Sequence, residues 1–423
     1  MQEEFLHYIW KYKKFRLNNL KTTQNELVDI QSVGHHNQDS GPDFFNAKIV
    51  IGEQLWAGNV EVHVKSSDWF LHNHETDASY DNVILHVVWE DDSEIYRSDN
   101  SVIPALELKQ LIERDIIVNY EKLYSNHNKW INCEASFDQV DDFVIDNWLE
   151  RLYFERLEQK SETINQLLKE SRNDWEAVLF KMLAKNFGLK VNGEAFLSLA
   201  KSVDFSVIRK TQSNLTSLEA LLFGQAGLLE SDLETSYFKT LQSEYKFLGQ
   251  KFGLNNNHVL PVKFFRLRPL NFPTIRLSQL ACLYHEHQNL FSKIIETNNR
   301  DGFYKLFRVS TSDFWKNHYT FQKESKASAK TLTKSFIDLL LINTMLPIKF
   351  CYSKQLGHDS QDEVLKIASK IASEKNSIIT SFNNLKQVSR SAMDSQALIQ
   401  LKSAYCDKNR CIQCAIGSTI LSQ

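Results

Sequence analysis

The pattern of apolar residues changes character once along this chain, and that change constrains the fold more than any single motif. Before about residue 125 the apolar positions follow strand rules. Gln54 to Lys65 alternates at its end, with Val60, Val62 and Val64 facing one way and Glu61, His63 and Lys65 the other. Asn82 to Trp89 (NVILHVVW) is almost continuously apolar, as expected of a strand covered on both faces. Lys48 to Ile51 and Pro104 to Leu108 read as shorter strands, and a helical run follows from Lys109 to Leu123. After about Asp138 the spacing turns helical, through Ile145 to Glu170, Trp175 to Phe187, Ser213 to Leu229, Leu233 to Phe252, Ser278 to Thr297 and Thr331 to Leu341. The expectation is an α/β N-terminal domain with a small mixed sheet over residues 1–125, then a mainly α-helical domain over 139–423 that ends in a cysteine cluster. The polar stretch from Ser125 to Asp142 is the expected boundary.

A hydrophobic content of 42% with 24% charged residues is ordinary for a globular chain of 423 residues, so a sizeable core is expected and disorder is not. The net charge of −3 excludes coating nucleic acid by bulk electrostatics but leaves room for a local basic groove. The start, MQEEFLHYIWKYKK, lacks the basic-then-apolar layout of a signal peptide. Its later bases, Lys11, Lys13, Lys14 and Arg16, lie among aromatic residues, which suits an amphipathic helix with its lysines in water. Phe336 to Phe350 carries Asp338, Asn343 and Pro347 and reads as too interrupted to span a membrane. A cytoplasmic protein without a membrane partner is expected, and its six cysteines then favour free thiols or metal ligation.

Chemistry-bearing residues concentrate early. Eight of the 13 histidines precede Trp130: His7, His35, His36, His63, His72, His74, His86 and His127. In GPDFFNAKIVIGEQLWAGNVEVHVK (residues 41–65), Asp43 sits at a turn ahead of two strands, and period-2 alternation puts Glu61, His63 and Lys65 on one face of the second. Two carboxylates brought together at strand ends can hold a hard cation such as Mg²⁺ or Mn²⁺. By itself that face also fits a solvated sheet surface with cross-strand ion pairs. The dense polar run that follows (Ser66, Ser67, Asp68, His72, His74 and Asp77) exceeds what a strand-to-helix turn requires. His72 and His74 with His63 or His36 offer an imidazole set that suits zinc, manganese or iron. His86, inside an apolar strand, reads as a core histidine or one lining the site.

Two further constellations stand out. Cys406, Cys411 and Cys414 are close enough in sequence to ligate zinc or an iron–sulfur cluster with a fourth ligand from elsewhere. Cys133 is the first candidate, with Cys282, Cys351 and a histidine left open. In RLRPLNFPTIR, the prolines fix an extended segment from which Arg266, Arg268 and Arg276 could present a phosphate-binding edge to DNA or RNA. The short run Phe223-Gly224-Gln225-Ala226-Gly227 reads as a tight helix–helix contact or break. No Walker A, Rossmann or G-x-S-x-G pattern is present in the sequence.

The residues from Pro42 onward resemble the PD-(D/E)XK nuclease core, whose pattern is an acid near a turn and then an acid, any residue and a lysine on the next strand. Pro42-Asp43 matches the first part and Glu61-Val62-His63 the second, with His63 at the usual lysine position and Lys65 two residues further along the same face. The resemblance implies a restriction-endonuclease-like fold and a divalent-metal-dependent nuclease in which Asp43 and Glu61 hold the metal and His63 or Lys65 orients water. More broadly, SGPDFFNAKI, WAGNVEVHVKSSDWFLHNH, YDNVILHVVWEDD and YCDKNRCIQCAIG resemble an uncharacterised bacterial family that brings no activity with it. Two alternatives stay open: a non-catalytic module that binds nucleic acid or protein, and a transition-metal enzyme centred on the histidine-rich segment.

Overall fold

Residues Glu3–Lys11 form the first helix (α1), with Phe5, Leu6 and Ile9 on a buried face, acids in its first turn and Lys11 in its last, as the helix dipole favours. The computed structural model describes residues 2–37, 39–125 and 129–422, so His127 lies outside the described residues. The chain divides into two compact units, residues 1–148 with 401–423, and residues 149–400.

The first unit is built on a mixed sheet. Its strands are β1 (Val28–Ser32), β2 (His35–His36), β3 (Phe44–Ile51), β4 (Gln54–Lys65), β5 (Val83–Glu90) and β6 (Ala105–Glu107), in the order β1-β3-β4-β5-β6 with β2 paired to β3. β1, β2 and β4 run antiparallel to β3, and Gly52 takes the positive φ that the tight β3–β4 turn requires. β5 and then β6 add in parallel, so the chain must cross over between β4 and β5. That crossover holds the short helix α2 (Asp68–Leu71) and two single 3₁₀ turns, His74–Thr76 and Ala78–Tyr80. One sheet face packs Val60, Val62, Leu85 and Val87 against α1 and against Tyr120 and Leu123 of α3 (Arg114–Tyr124). A second, small core of Trp69, Tyr80, Val83, Ile95 and Ile103 forms under the crossover.

The C-terminal segment belongs to this first unit. Cys411 and Leu421 join the core beneath α1, and the Tyr8 hydroxyl donates to the Ser418 carbonyl at 3.3 Å. Sequence had assigned the segment to the helical domain, because helical spacing reports an apolar stripe and not which core that stripe meets.

The second unit is helical. It contains Trp175–Phe187, Leu189–Lys201, Leu215–Gln225, Ser236–Phe252 and Pro273–Glu286, and α4 (Asp142–Glu170) runs into it from residue 149 onward. Lys334–Gln355 forms one continuous helical run of 22 residues, longer than the sequence suggested. A π turn at Leu341–Met345 precedes Pro347, and its altered hydrogen-bond spacing carries the helix past a residue with no N–H. By length and composition this helix could cross a membrane, yet 72% of its apolar window is buried within the protein, as in the core helix of a soluble protein.

Gly224 is the tight contact that its sequence context suggested. A Cβ there would come within 2.2 Å of the Tyr245 ring on the neighbouring helix. Gly224→Ala should therefore destabilise the chain by about 1–3 kcal/mol through overpacking. Gly249→Ala, on the same Ser236–Phe252 helix with nothing within 4 Å of the added carbon, should stabilise by roughly 0.5–1 kcal/mol. Paired thermal melts check both; equal effects of the two substitutions would refute the packing account.

Candidate metal centre

Strand alternation turns Glu61 and His63 away from the face that packs on α1, and the parallel register of Glu61 opposite His86 brings a second histidine alongside them. The crossover folds back over these residues. Asn73, in the left-handed conformation at φ +61°, turns the chain between His72 and His74 so that both imidazoles reach His63. Asp43 enters from the start of β3, where a register shift between Phe44 and Ala47, with Asn46 at φ +59°, marks a bulge. It is fixed reciprocally: its N–H donates to Glu61 Oε2 at 3.1 Å, and its Oδ2 accepts the Val62 N–H at 3.0 Å.

Two groups of potential ligands result. In the first, His63, His72 and His74 present ring nitrogens all within 4.8 Å of one another. His72 Nδ1 lies 3.1 Å from His63 Nε2, while Glu61 Oε1 lies 3.4 Å from His63 Nε2 and 3.3 Å from His74 Nε2. In the second, Glu3, His7 and Asp43 converge, with His7 Nε2 3.2 Å from Asp43 Oδ2 and 3.7 Å from Glu3 Oε1. Glu61 stands between them, one oxygen toward the imidazoles and the other on the Asp43 amide. His63 is also held from behind by a 2.9 Å hydrogen bond from its Nδ1 to His86 Nε2. With the proton on Nδ1, His63 Nε2 offers a bare lone pair to the group, the tautomer a metal-ligating histidine needs. His72 is exposed, so solvent reaches the first group.

Electrostatics make this a costly place without a cation. Burial, and then the charge of Asp43, push the Glu61 carboxyl up to about 9. Burial, and then His72 and His74, push the His63 imidazole down to about 3. Burial also lowers His74, and lowers the almost fully enclosed His86 well below the ordinary range. His7 goes the other way: burial opposes its charged form, but the hydrogen bond and charge of Asp43, with Glu3 and Glu61, outweigh it and raise the pKa. A divalent ion would favour the ionised carboxylate and the neutral imidazoles together, so the donor set fits such an ion.

The structure thus brings together Asp43, Glu61 and His63 and adds His72 and His74. Lys65 does not join them; its ammonium is half-exposed and lies 3.7 Å from Asp92. Arg266 and Arg268 are exposed in the second unit, Arg266 over the Phe265 ring. Arg276 is buried there, stacked 3.6 Å from the Phe336 ring centroid and bonded to Gln279 and Asn271, so its guanidinium serves packing. Cys133, Cys406, Cys411 and Cys414 line one small cavity of the first unit, whereas Cys282 and Cys351 are buried in helices of the second. Sequence reading missed Glu3 and His7. Their signal was the i, i+4 spacing of an acid and a histidine on one helix face.

A family model described as "Protein of unknown function (DUF2851)" matches residues 3–377. No curated protein and no solved structure matches the chain.

The pKa shifts fix a pH dependence in chelator. Glu61, whose folded pKa lies above the ordinary 4.5, contributes stability below that value that is lost as pH rises toward about 9. His63, whose folded pKa lies below the ordinary 6.5, contributes stability above that value that is lost as pH falls toward about 3. Glu61→Gln removes the first titration. In EDTA it should melt close to wild type at acidic pH and several degrees higher at pH values approaching 9. A melting difference that does not change with pH would show that Glu61 does not titrate as the geometry requires.

Proposed function

We propose that this chain, which belongs to the DUF2851 family of proteins of unknown function, is a metal-dependent hydrolase of nucleic-acid phosphodiesters. The observation that carries the reading is the convergence of Glu61 Oε1 with the Nε2 atoms of His63 and His74, at 3.4 and 3.3 Å, and of His72 Nδ1 with His63 Nε2, at 3.1 Å. Donor atoms that share one ion at bonds of about 2.0–2.1 Å lie roughly 3–3.5 Å apart. Three imidazoles and one carboxylate favour zinc, manganese or iron over magnesium. Such an ion supplies an acidified water and charge stabilisation at phosphorus.

The protein's own groups supply the rest. Glu61 and the imidazoles would fix the ion's place, and the hydrogen bond between His63 and His86 holds the ring orientation. Against the burial that lowers it, Asp43 raises the basicity of His7, which suits that imidazole to give a proton to the leaving oxygen. In hydrolysis the water oxygen bonds to phosphorus, the ester P–O bond breaks, and the departing oxygen takes that proton; the proton lost by water restores His7.

A restriction-endonuclease-like core is consistent with the placement of Asp43 beside Glu61 and of His63 two residues on. The hydrogen bonds that hold Asp43 to Glu61 and to the Val62 N–H also favour a second reading, in which Mg²⁺ or Mn²⁺ would sit by the Glu3, His7 and Asp43 group. The substrate partner in either case is DNA or RNA.

The test is cleavage of labelled single- and double-stranded DNA and RNA with Mg²⁺, Mn²⁺ or Zn²⁺, beside His63→Ala, Asp43→Ala and Lys65→Ala. Removing His63 should weaken metal binding by at least about 10–100-fold and abolish cleavage with folding intact. Asp43→Ala should also abolish it, whereas Lys65→Ala should retain the wild-type order of magnitude. Cleavage with Mg²⁺ that survives His63→Ala moves the reaction to the carboxylate group. An absence of cleavage with every substrate and metal points instead to a binding module.

A further inference from the structure

The geometry points to a second metal centre in the first unit, ligated by the thiolates of Cys133, Cys406, Cys411 and Cys414. These four side chains line one cavity of about 20 Å³, whose remaining wall is largely carbon, including Phe137 and Leu401. None of the four is in a disulfide. A water there would find few polar partners, whereas cysteine thiolates are the donors a thiophilic metal takes. No three of the sulfurs lie within 4.8 Å of one another, a spacing that leaves room for an iron–sulfur cluster; zinc shares the thiolate chemistry but needs the four side chains to draw closer.

The surroundings support ligation beyond proximity. The Asn132 amide donates to Cys411 Sγ at 3.4 Å, and the backbone N–H groups of Ile416 and Gly417 donate to the Cys414 sulfur. Hydrogen bonds of this kind stabilise thiolate and tune the metal it holds. Cys411 and Cys414 flank a single 3₁₀ turn, Cys411–Gln413, which brings them to one side of the cavity. At Gly417 an added Cβ would lie 2.1 Å from the Cys411 carbonyl, so the chain can close around the sulfurs only with glycine there. Cys133 comes from a different part of the chain, just ahead of the 3₁₀ turn Glu134–Gln139. A metal bound here therefore ties the C-terminal segment to the N-terminal unit, closing a very long loop.

The full chain, purified anaerobically, is analysed for zinc and iron and scanned for the visible absorption of an iron–sulfur cluster. The same measurements are made on His74→Ala, which removes a ligand of the histidine centre, and on His74→Ala combined with Cys133→Ser or with Cys414→Ser. Near-stoichiometric zinc, or iron with sulfide and visible absorption, should persist in His74→Ala and fall by at least about tenfold in either cysteine variant. The two metal signatures distinguish a single ion from a cluster. Because a cysteine variant can fail to fold, a mercurial titration of the folded wild-type chain is the second arm; it should release zinc, or bleach the cluster, as four thiols react. Wild-type protein without zinc or iron, metal that His74→Ala alone removes, or metal in His74→Ala that neither added cysteine substitution lowers, would overturn the proposal. Neither result depends on whether the histidine site cleaves anything.

Discussion

Burying Glu61 is the constraint around which the rest of the first unit is arranged. A carboxylate at 4% exposure, on a strand covered from both sides, is expensive to ionise unless its oxygens are satisfied. One oxygen takes the Asp43 amide, which anchors the start of β3. The other faces imidazoles from β4 and the crossover. Asp43 in turn sits beside His7 of α1. The first helix, two strands and the crossover are thus tied through one side chain. Polar clusters of this density trade stability for a fixed geometry of donors, which is the usual bargain at a working site.

Much of this was legible in the sequence because strand geometry is simple. Period-2 alternation selected Glu61 and His63 correctly as neighbours on one face, and the turn at Pro42 suggested an acid close to them. The mixed sheet followed by helices was legible for the same reason. Alternation failed at Lys65, which shares the parity of Glu61 but lies at the strand's end, where its long side chain reaches solvent and Asp92. Parity fixes a direction and says nothing of where the covering layer stops.

Other parts were not legible, for reasons of distance along the chain. Glu3 and His7 belong to a helix whose apolar face explains its existence, and only tertiary packing turns its polar edge toward Asp43. His72 and His74 show only an H-x-H spacing in the sequence, which does not choose between His63 and His36 as their partner; the left-handed residue between them turns both toward His63. The arginines of the Arg266–Arg276 segment illustrate the converse. A cationic cluster in sequence separated into exposed residues and one guanidinium folded into a core. The affiliation of residues 401–423 was hidden for the same reason, since no local pattern encodes a partner from the other end of the chain.

That last feature bears on how the protein is made. Synthesis proceeds from the N-terminus and domains tend to fold as their residues emerge. Residues 149–400 form a unit that is continuous in sequence. The unit carrying the candidate centre is not continuous, and Leu421 and Cys411 are part of its core. The sheet and α1 must wait, incompletely covered, while the whole helical unit is translated. Order of synthesis and order of completion are therefore reversed: the part begun first is finished last, and a ribosome that stalls late leaves that part exposed to aggregation and proteolysis.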